Sequence, residues 1–103
     1  MLFAITLNYL RPEQEVQAQL EDHKIWLADN ICQGRILFAG PLLNGTGGFI
    51  LAYGEQEAEI QQMIAADPFA IHQLAGFSTQ AIAPAIRAGQ FPQRWASEAK
   101  TVA

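Results

Sequence analysis

The stretch Arg35-Ile36-Leu37-Phe38-Ala39-Gly40-Pro41-Leu42-Leu43-Asn44-Gly45-Thr46-Gly47-Gly48-Phe49-Ile50-Leu51-Ala52-Tyr53 decides how this chain folds. Arg35 to Ala39 and Phe49 to Tyr53 are apolar runs of strand length, and Asn44 to Gly48 between them is a cluster of turn formers. Gly40-Pro41 stops the first run. Two such runs around one turn cluster predict a hairpin. The glycines also suggest a phosphate loop, but they match neither G-x-G-x-x-G nor the Walker pattern, and no helix opens directly from them.

Working outward, Gly34 suits the position just past a helix end, because a residue without Cβ adopts positive φ freely. The helix before it is expected to begin near Pro12, which fits a first turn, with Glu13 and Glu15 at the positive end of the dipole, and to run to about Gln33. Val16, Leu20, Leu27 and Ile31 form its apolar stripe. Earlier still, Leu2 to Tyr9 sets Phe3, Ile5, Leu7 and Tyr9 against Leu2, Ala4, Thr6 and Asn8, an apolar strand on both faces and therefore a central one. On the other side of the hairpin, Glu55 to Ala66 reads as a second helix, acidic at its start and closed by Asp67-Pro68. An irregular segment from Phe69 to Gly76 leads to a last strand, Phe77 to Ala83, ended by Pro84.

The order strand, helix, strand, strand, helix, strand predicts an α+β, ferredoxin-like βαββαβ fold. It is a four-stranded antiparallel sheet with two helices on one face and the first and third strands at its centre. Residues 1–84 form that domain. Residues 85–103, with Gly89, Pro92 and Trp95, form a tail expected to pack on the domain or across a dimer. Two helices cover one face of the sheet only, so the apolar second face is expected to pack on a second copy in a homodimer.

Of the 103 residues, 50% are hydrophobic and 16% charged, which suits one domain with apolar surface left for a partner. Net charge is −4 with six scattered basic residues, which gives no footprint for nucleic acid. No run is long enough to span a membrane, and Met1 to Leu7 lacks the basic flank of a signal peptide. Cys32 is the single cysteine, so no intrachain disulfide forms and a cytoplasmic location is expected.

Two ionisable groups interrupt apolar patterns. Asp67 follows Ile60, Met63 and Ile64 at i−7, i−4 and i−3, which points its carboxylate inward at the unfavourable negative end of a helix dipole. His23 lies between Leu20 and Leu27 near the middle of the first helix's stripe. Alone, His23 reads as a satisfied core residue, and Asp67 as a carboxylate in need of a partner. Together, on neighbouring helices facing one interior, they form a His-Asp pair that fixes which ring nitrogen faces a pocket, as a general base requires.

His72 is a rival partner for the carboxylate, a pocket wall, or an exposed residue. Tyr9, Phe49 and Phe69 are candidates to line a substrate pocket, although aromatic residues also simply fill cores. Two histidines without a second inward carboxylate give no metal site, and no cofactor motif is present. Cys32 lies on the opposite helical face from His23, in a strip with Ile25 and Trp26 that is expected to receive the tail or a partner.

His23 with Leu27 four residues on, Gly34-Arg35-Ile36-Leu37-Phe38-Ala39-Gly40-Pro41, Gly48-Phe49 and Asp67-Pro68-Phe69 occur in an order and spacing that resembles the YCII-related family of small dimeric α+β barrel proteins. The resemblance implies a ferredoxin-like subunit dimerising through its sheets, with the His-Asp active-site pair falling on His23 and Asp67. It also implies kinship in fold with muconolactone isomerase and with a dehydrochlorinase of chlorinated hydroxyquinols. The expected function is acid-base chemistry on a ring or lactone, as an isomerase or a lyase without a cofactor. A non-catalytic small-ligand-binding or regulatory module is the alternative.

Overall fold

The computed structural model describes residues 1–102. Strand β1 (Leu2–Tyr9) leads to helices α1 (Glu13–Ala18) and α2 (Leu20–Cys32), then to the hairpin of β2 (Ile36–Pro41) and β3 (Gly47–Tyr53). Helices α3 (Glu57–Ala65) and α4 (Pro68–Ile71) precede β4 (Ala75–Ile82). The main sheet runs β2-β3-β1-β4, with antiparallel pairing throughout. β1 and β3 are therefore central, as the two-sided apolar pattern of Leu2 to Tyr9 requires.

Register sets which residues share a face. Ile5 stands opposite Ile50 on one side and Thr79 on the other, and Ala39 opposite Ile50. Alternation then turns Phe3, Ile5 and Leu7 toward the helices, where they meet Ile60, Met63 and Ile64 of α3 in one buried core. Burying each such side chain contributes roughly 1.5–3 kcal/mol. The opposite face carries Ala4 and Leu51, half-buried, with Phe38 at 54% and Ile82 at 41% exposure.

The hairpin forms as its composition dictates. Gly45 takes φ +76°, and Asn44 Oδ1 accepts hydrogen bonds from the backbone N–H and hydroxyl of Thr46 at 3.0 and 2.7 Å. The strands extend to Pro41 and back to Gly47, beyond the Ala39 and Phe49 limits read from the sequence. At the end of α2, Gly34 has φ +78°, its N–H bonds Ile31 O at 3.1 Å, and Arg35 N–H bonds Asn30 O at 2.9 Å. This double closure is the Schellman arrangement, and it aims the chain from α2 directly into β2.

Three expectations are corrected. The single helix from Pro12 to Gln33 is two helices, broken at Gln19, which leaves helical geometry at φ −109° and ψ 6°. The break lets Val16 enter the core while α2 turns His23, Trp26 and Asn30 inward, so Leu20 and Leu27 are only half-buried and Ile31 is 44% exposed. Trp26 therefore belongs to the core and not to the outer strip with Ile25 and Cys32, which are exposed; its indole N–H donates to Met63 O at 3.1 Å.

The segment after Asp67 is also not wholly irregular, because α4 occupies Pro68–Ile71. Asp67 before proline takes extended geometry, φ −69° and ψ 128°, and becomes an N-cap, while Pro68 fits the first helical turn.

In the tail, β5 (Ile86–Ala88) and β6 (Lys100–Val102) form a separate parallel pair around a 3₁₀ turn at Gln93–Trp95. The Trp95 ring meets Tyr53 edge-on at 5.2 Å, on the sheet face away from α2 and α3. Ala103, the last residue of the tail, lies outside the described residues.

Candidate active site

α2 and α4 meet at one hydrogen bond. His23, on the second turn of α2, is 8% exposed, and Asp67 is fully buried at 0%. Nδ1 of His23 lies 2.8 Å from Oδ1 of Asp67. The same oxygen accepts the backbone N–H of Phe69 at 3.0 Å, so one carboxylate caps α4 and holds the imidazole. The opposition expected between Asp67 and the dipole of the preceding helix is thus offset by donors from two other elements. Asp67 Oδ2 is buried and has no hydrogen-bond partner among the described residues.

An ionised carboxylate only accepts hydrogen bonds, so with Asp67 ionised the proton of this bond lies on Nδ1, and a neutral ring then carries its lone pair on Nε2. Nε2 makes no hydrogen bond to the described residues. Aromatic neighbours fix the plane of the ring. Phe69 lies parallel to His23 with centroids 3.9 Å apart and an interplanar angle of 1°. Trp26 stacks at 5.7 Å and 25°, and Tyr9 meets Phe69 edge-on at 6.2 Å. The imidazole is held in its plane by Asp67 and stacks with two rings.

His23 lines a cavity of about 470 Å³ between α2 and the sheet. That volume lies in the range of small-molecule sites. Tyr9 and Phe69 line it on the His23 side, and Ala39, Gly40, Pro41, Gly48 and Phe49 form the wall from the β2–β3 hairpin. Phe49 also meets Phe38 at 5.9 Å. His72 is not part of this cavity: it is exposed at the C-terminal end of α4, five residues past Asp67 and on the far side of that helix's only full turn.

The structure thus brings together His23, Asp67, Tyr9 and Phe69, sets Phe49 in the cavity wall with its ring toward Phe38 on the other face of the sheet, and leaves His72 apart. Sequence reasoning did not reach Gln17 and Lys24, which also line the cavity, nor Trp26 and Asn30 as inward residues. Trp26 and Asn30 stand at i+3 and i+7 from His23, a helical stripe concealed by its polar members. Gln17 and Lys24 carry no signal beyond adjacency to that stripe. Among the described residues, no three His, Cys, Asp or Glu side chains gather as a metal site requires. No helix among them is long and apolar enough to cross a membrane.

Comparison with solved structures finds the same fold in the 5-chloro-2-hydroxyhydroquinone dehydrochlorinase of Burkholderia phenoliruptrix AC1100, solved as a complex with 2,5-dihydroxybenzoquinone. The TM-score is 0.70 at 23% identity, over 82% of this chain and 95% of the other. No curated protein matches the sequence. The YCII-related domain matches residues 1–85, which contain the whole four-stranded sheet, both members of the His-Asp pair and the cavity between them and the hairpin. The chain belongs to the YCII-related family.

Proposed function

We propose that this protein is a small-molecule lyase or isomerase in which Nε2 of His23 moves a proton on a ring or lactone substrate bound in the cavity. The observation that carries the reading is the His23–Asp67 bond of 2.8 Å, buried on the Asp67 side and open to the cavity on the other. Asp67 acts through His23 as a positioning residue: it sets the tautomer and offsets the positive charge the ring gains when it takes a proton. Tyr9, Phe49 and Phe69 are the candidate pocket residues around it.

For elimination, His23 removes a proton from the substrate, the released electron pair moves into the ring system, and an anion such as chloride departs with its bonding pair. For isomerisation, the same proton returns to another atom of the substrate. Neither step transfers electrons to an outside acceptor, so neither requires a cofactor. The shared fold with a dehydrochlorinase supports the elimination branch.

The test is a panel of halogenated hydroxyquinols, other hydroxylated aromatics and lactones, followed by halide release and ultraviolet absorbance. Turnover by the wild type and a loss of roughly 10²–10⁴-fold in His23→Ala are expected, the range typical of general acid-base catalysis. Equal rates in the two proteins would sink the reading. The alternative of a non-catalytic ligand-binding module is favoured by one observation, the capping of α4 by Asp67, which gives the pair a structural use. Saturable binding of panel compounds without turnover of any would decide for that module.

The exposed apolar face supports a homodimer as well, since Phe38, Leu51 and Ile82 lie on the side of the sheet that the helices leave uncovered.

A further inference from the structure

The walls of the cavity differ in kind. The hairpin wall is Ala39, Gly40, Pro41, Gly48, Phe49 and Ile50, and the first four of these carry no flexible side chain. A Cβ on Gly48 would stand 3.2 Å from Gly40 O, a tight contact that the strands would have to relax by a few tenths of an ångström to admit. A rigid, shallow wall of this kind accepts the flat side of a ring. The helical wall carries polar groups beside Leu20 and Leu27: Gln17, His23 and Lys24.

Lys24 is the one cavity-lining residue with a formal charge. The carboxylate of Asp67 is fully buried and bonded to the Nδ1 side of His23, so it is not part of the cavity lining. Glu21 approaches Lys24 at 3.7 Å, but their side chains are 85% and 59% exposed. A pair so solvated holds the ammonium only weakly and leaves it free to turn to a ligand. A chain of net charge −4 thus presents one cationic side chain, only weakly held by Glu21, in the lining of a mainly apolar slot.

We infer that the site selects a planar ring bearing an ionised oxygen, a phenolate or enolate, and that Lys24 is the residue that confers this preference. The inference rests on the reading of the cavity as a substrate site and deepens it. The ring lies against the Gly40 and Gly48 wall, its anionic oxygen faces Lys24, and His23, the neighbour of Lys24 on α2, addresses a different atom of the same ring. Lys24 is a positioning residue, expressed in binding more than in the proton step.

The test compares 4-nitrophenolate, in mildly alkaline buffer where it is ionised, with the neutral 4-nitroanisole of nearly the same shape, by equilibrium dialysis against the full chain. Wild type is expected to bind the anion about fivefold more tightly than the ether, the size of a partly solvated charge pair. That margin should shrink as added salt shortens the screening length from about 30 Å toward 3 Å. Lys24→Met should equalise the two probes, and Lys24→Arg should retain the preference.

Equal binding of both probes by wild type, equal weakening of both by Lys24→Met, or no saturable binding of the anion would each overturn the inference. The outcome is separable from the proton-transfer reading. A panel with no turnover removes that reading and leaves the measured anion preference standing, whereas turnover with an unchanged preference in Lys24→Met removes only the role of Lys24.

Discussion

His23 and Asp67, 44 residues apart in the chain, meet through Nδ1 and Oδ1 at 2.8 Å, and the oxygen that accepts from the imidazole also caps the helix carrying Phe69. Phe69 in turn lies flat against that imidazole. The three residues form a closed loop in which each fixes the next.

The two uses of Asp67 separate by substitution. Asparagine caps a helix about as well as aspartate, whereas alanine loses the cap at roughly 0.5–2 kcal/mol. Asp67→Asn is therefore expected to unfold in urea within about 1 kcal/mol of wild type, and Asp67→Ala to be weaker by roughly 2–3 kcal/mol, because a buried imidazole N–H then also lacks an acceptor. In turnover, both variants should be impaired alike. An Asp67→Asn protein with wild-type kcat would show that the charge has no part in the chemistry.

The tautomer of His23 is directly observable. Nitrogen-15 shifts of the imidazole, recorded through the ring carbons, should show the proton on Nδ1 in the neutral wild-type ring. Asp67→Asn should move the population toward the Nε2–H form that free imidazole side chains favour. Identical spectra for the two proteins would mean that Asp67 does not set the tautomer.

Phe69 is 1% exposed and touches both ends of the site, so its removal should act on stability and on His23 together. Phe69→Ala is expected to lower unfolding free energy by roughly 3–5 kcal/mol through the cavity it leaves. Phe69→Leu retains most of the volume and should lose less than half of that. If Phe69→Leu leaves catalysis intact, the parallel ring contact is packing and not alignment.

Gly47 is held by backbone proximity. A Cβ there would overlap the carbonyl oxygen of Leu7, the residue before Asn8, which is the partner of Gly47 across the β1–β3 ladder. Gly47→Ala must then shift the ladder at the cavity end of the sheet, with an expected loss of several kcal/mol, on the order of other overpacked cores. Gly40→Ala meets nothing within 4 Å and serves as the control. Equal melting temperatures for the two would contradict the close approach.

Sedimentation tests the uncovered sheet face. Leu51→Glu places a charge at the middle of that face, and a wild-type dimer at micromolar concentration should become a monomer with little change in far-ultraviolet circular dichroism. A wild-type monomer would show that the face is left to solvent.

Much of the architecture is readable without coordinates because local signals agree. The turn chemistry of Asn44 to Gly48, the C′ glycine at 34 and the two-sided pattern of Leu2 to Tyr9 each specify one element, and together they admit one sheet order. Asp67 and His23 stand out because each interrupts an apolar stripe. Local reasoning fails where a single residue departs from regular geometry. Gln19 is neither Gly nor Pro, so nothing marks it as a break, yet the rotation that follows moves Trp26 inward and Ile31 outward. The helix α4 is legible in retrospect, as Asp-Pro is an N-cap followed by an N1 proline.

What the sequence determines by itself is therefore the set of elements and the two ionisable groups forced inward, because backbone preference and hydrophobic period act over a few residues. What only the tertiary structure decides is which atoms meet. The 2.8 Å contact of His23 with Asp67, the parallel ring of Phe69 and the glycine-walled cavity beside Lys24 depend on how α2 and α4 rotate onto the sheet. That rotation is set by packing among residues distant in the chain, and no local pattern encodes it.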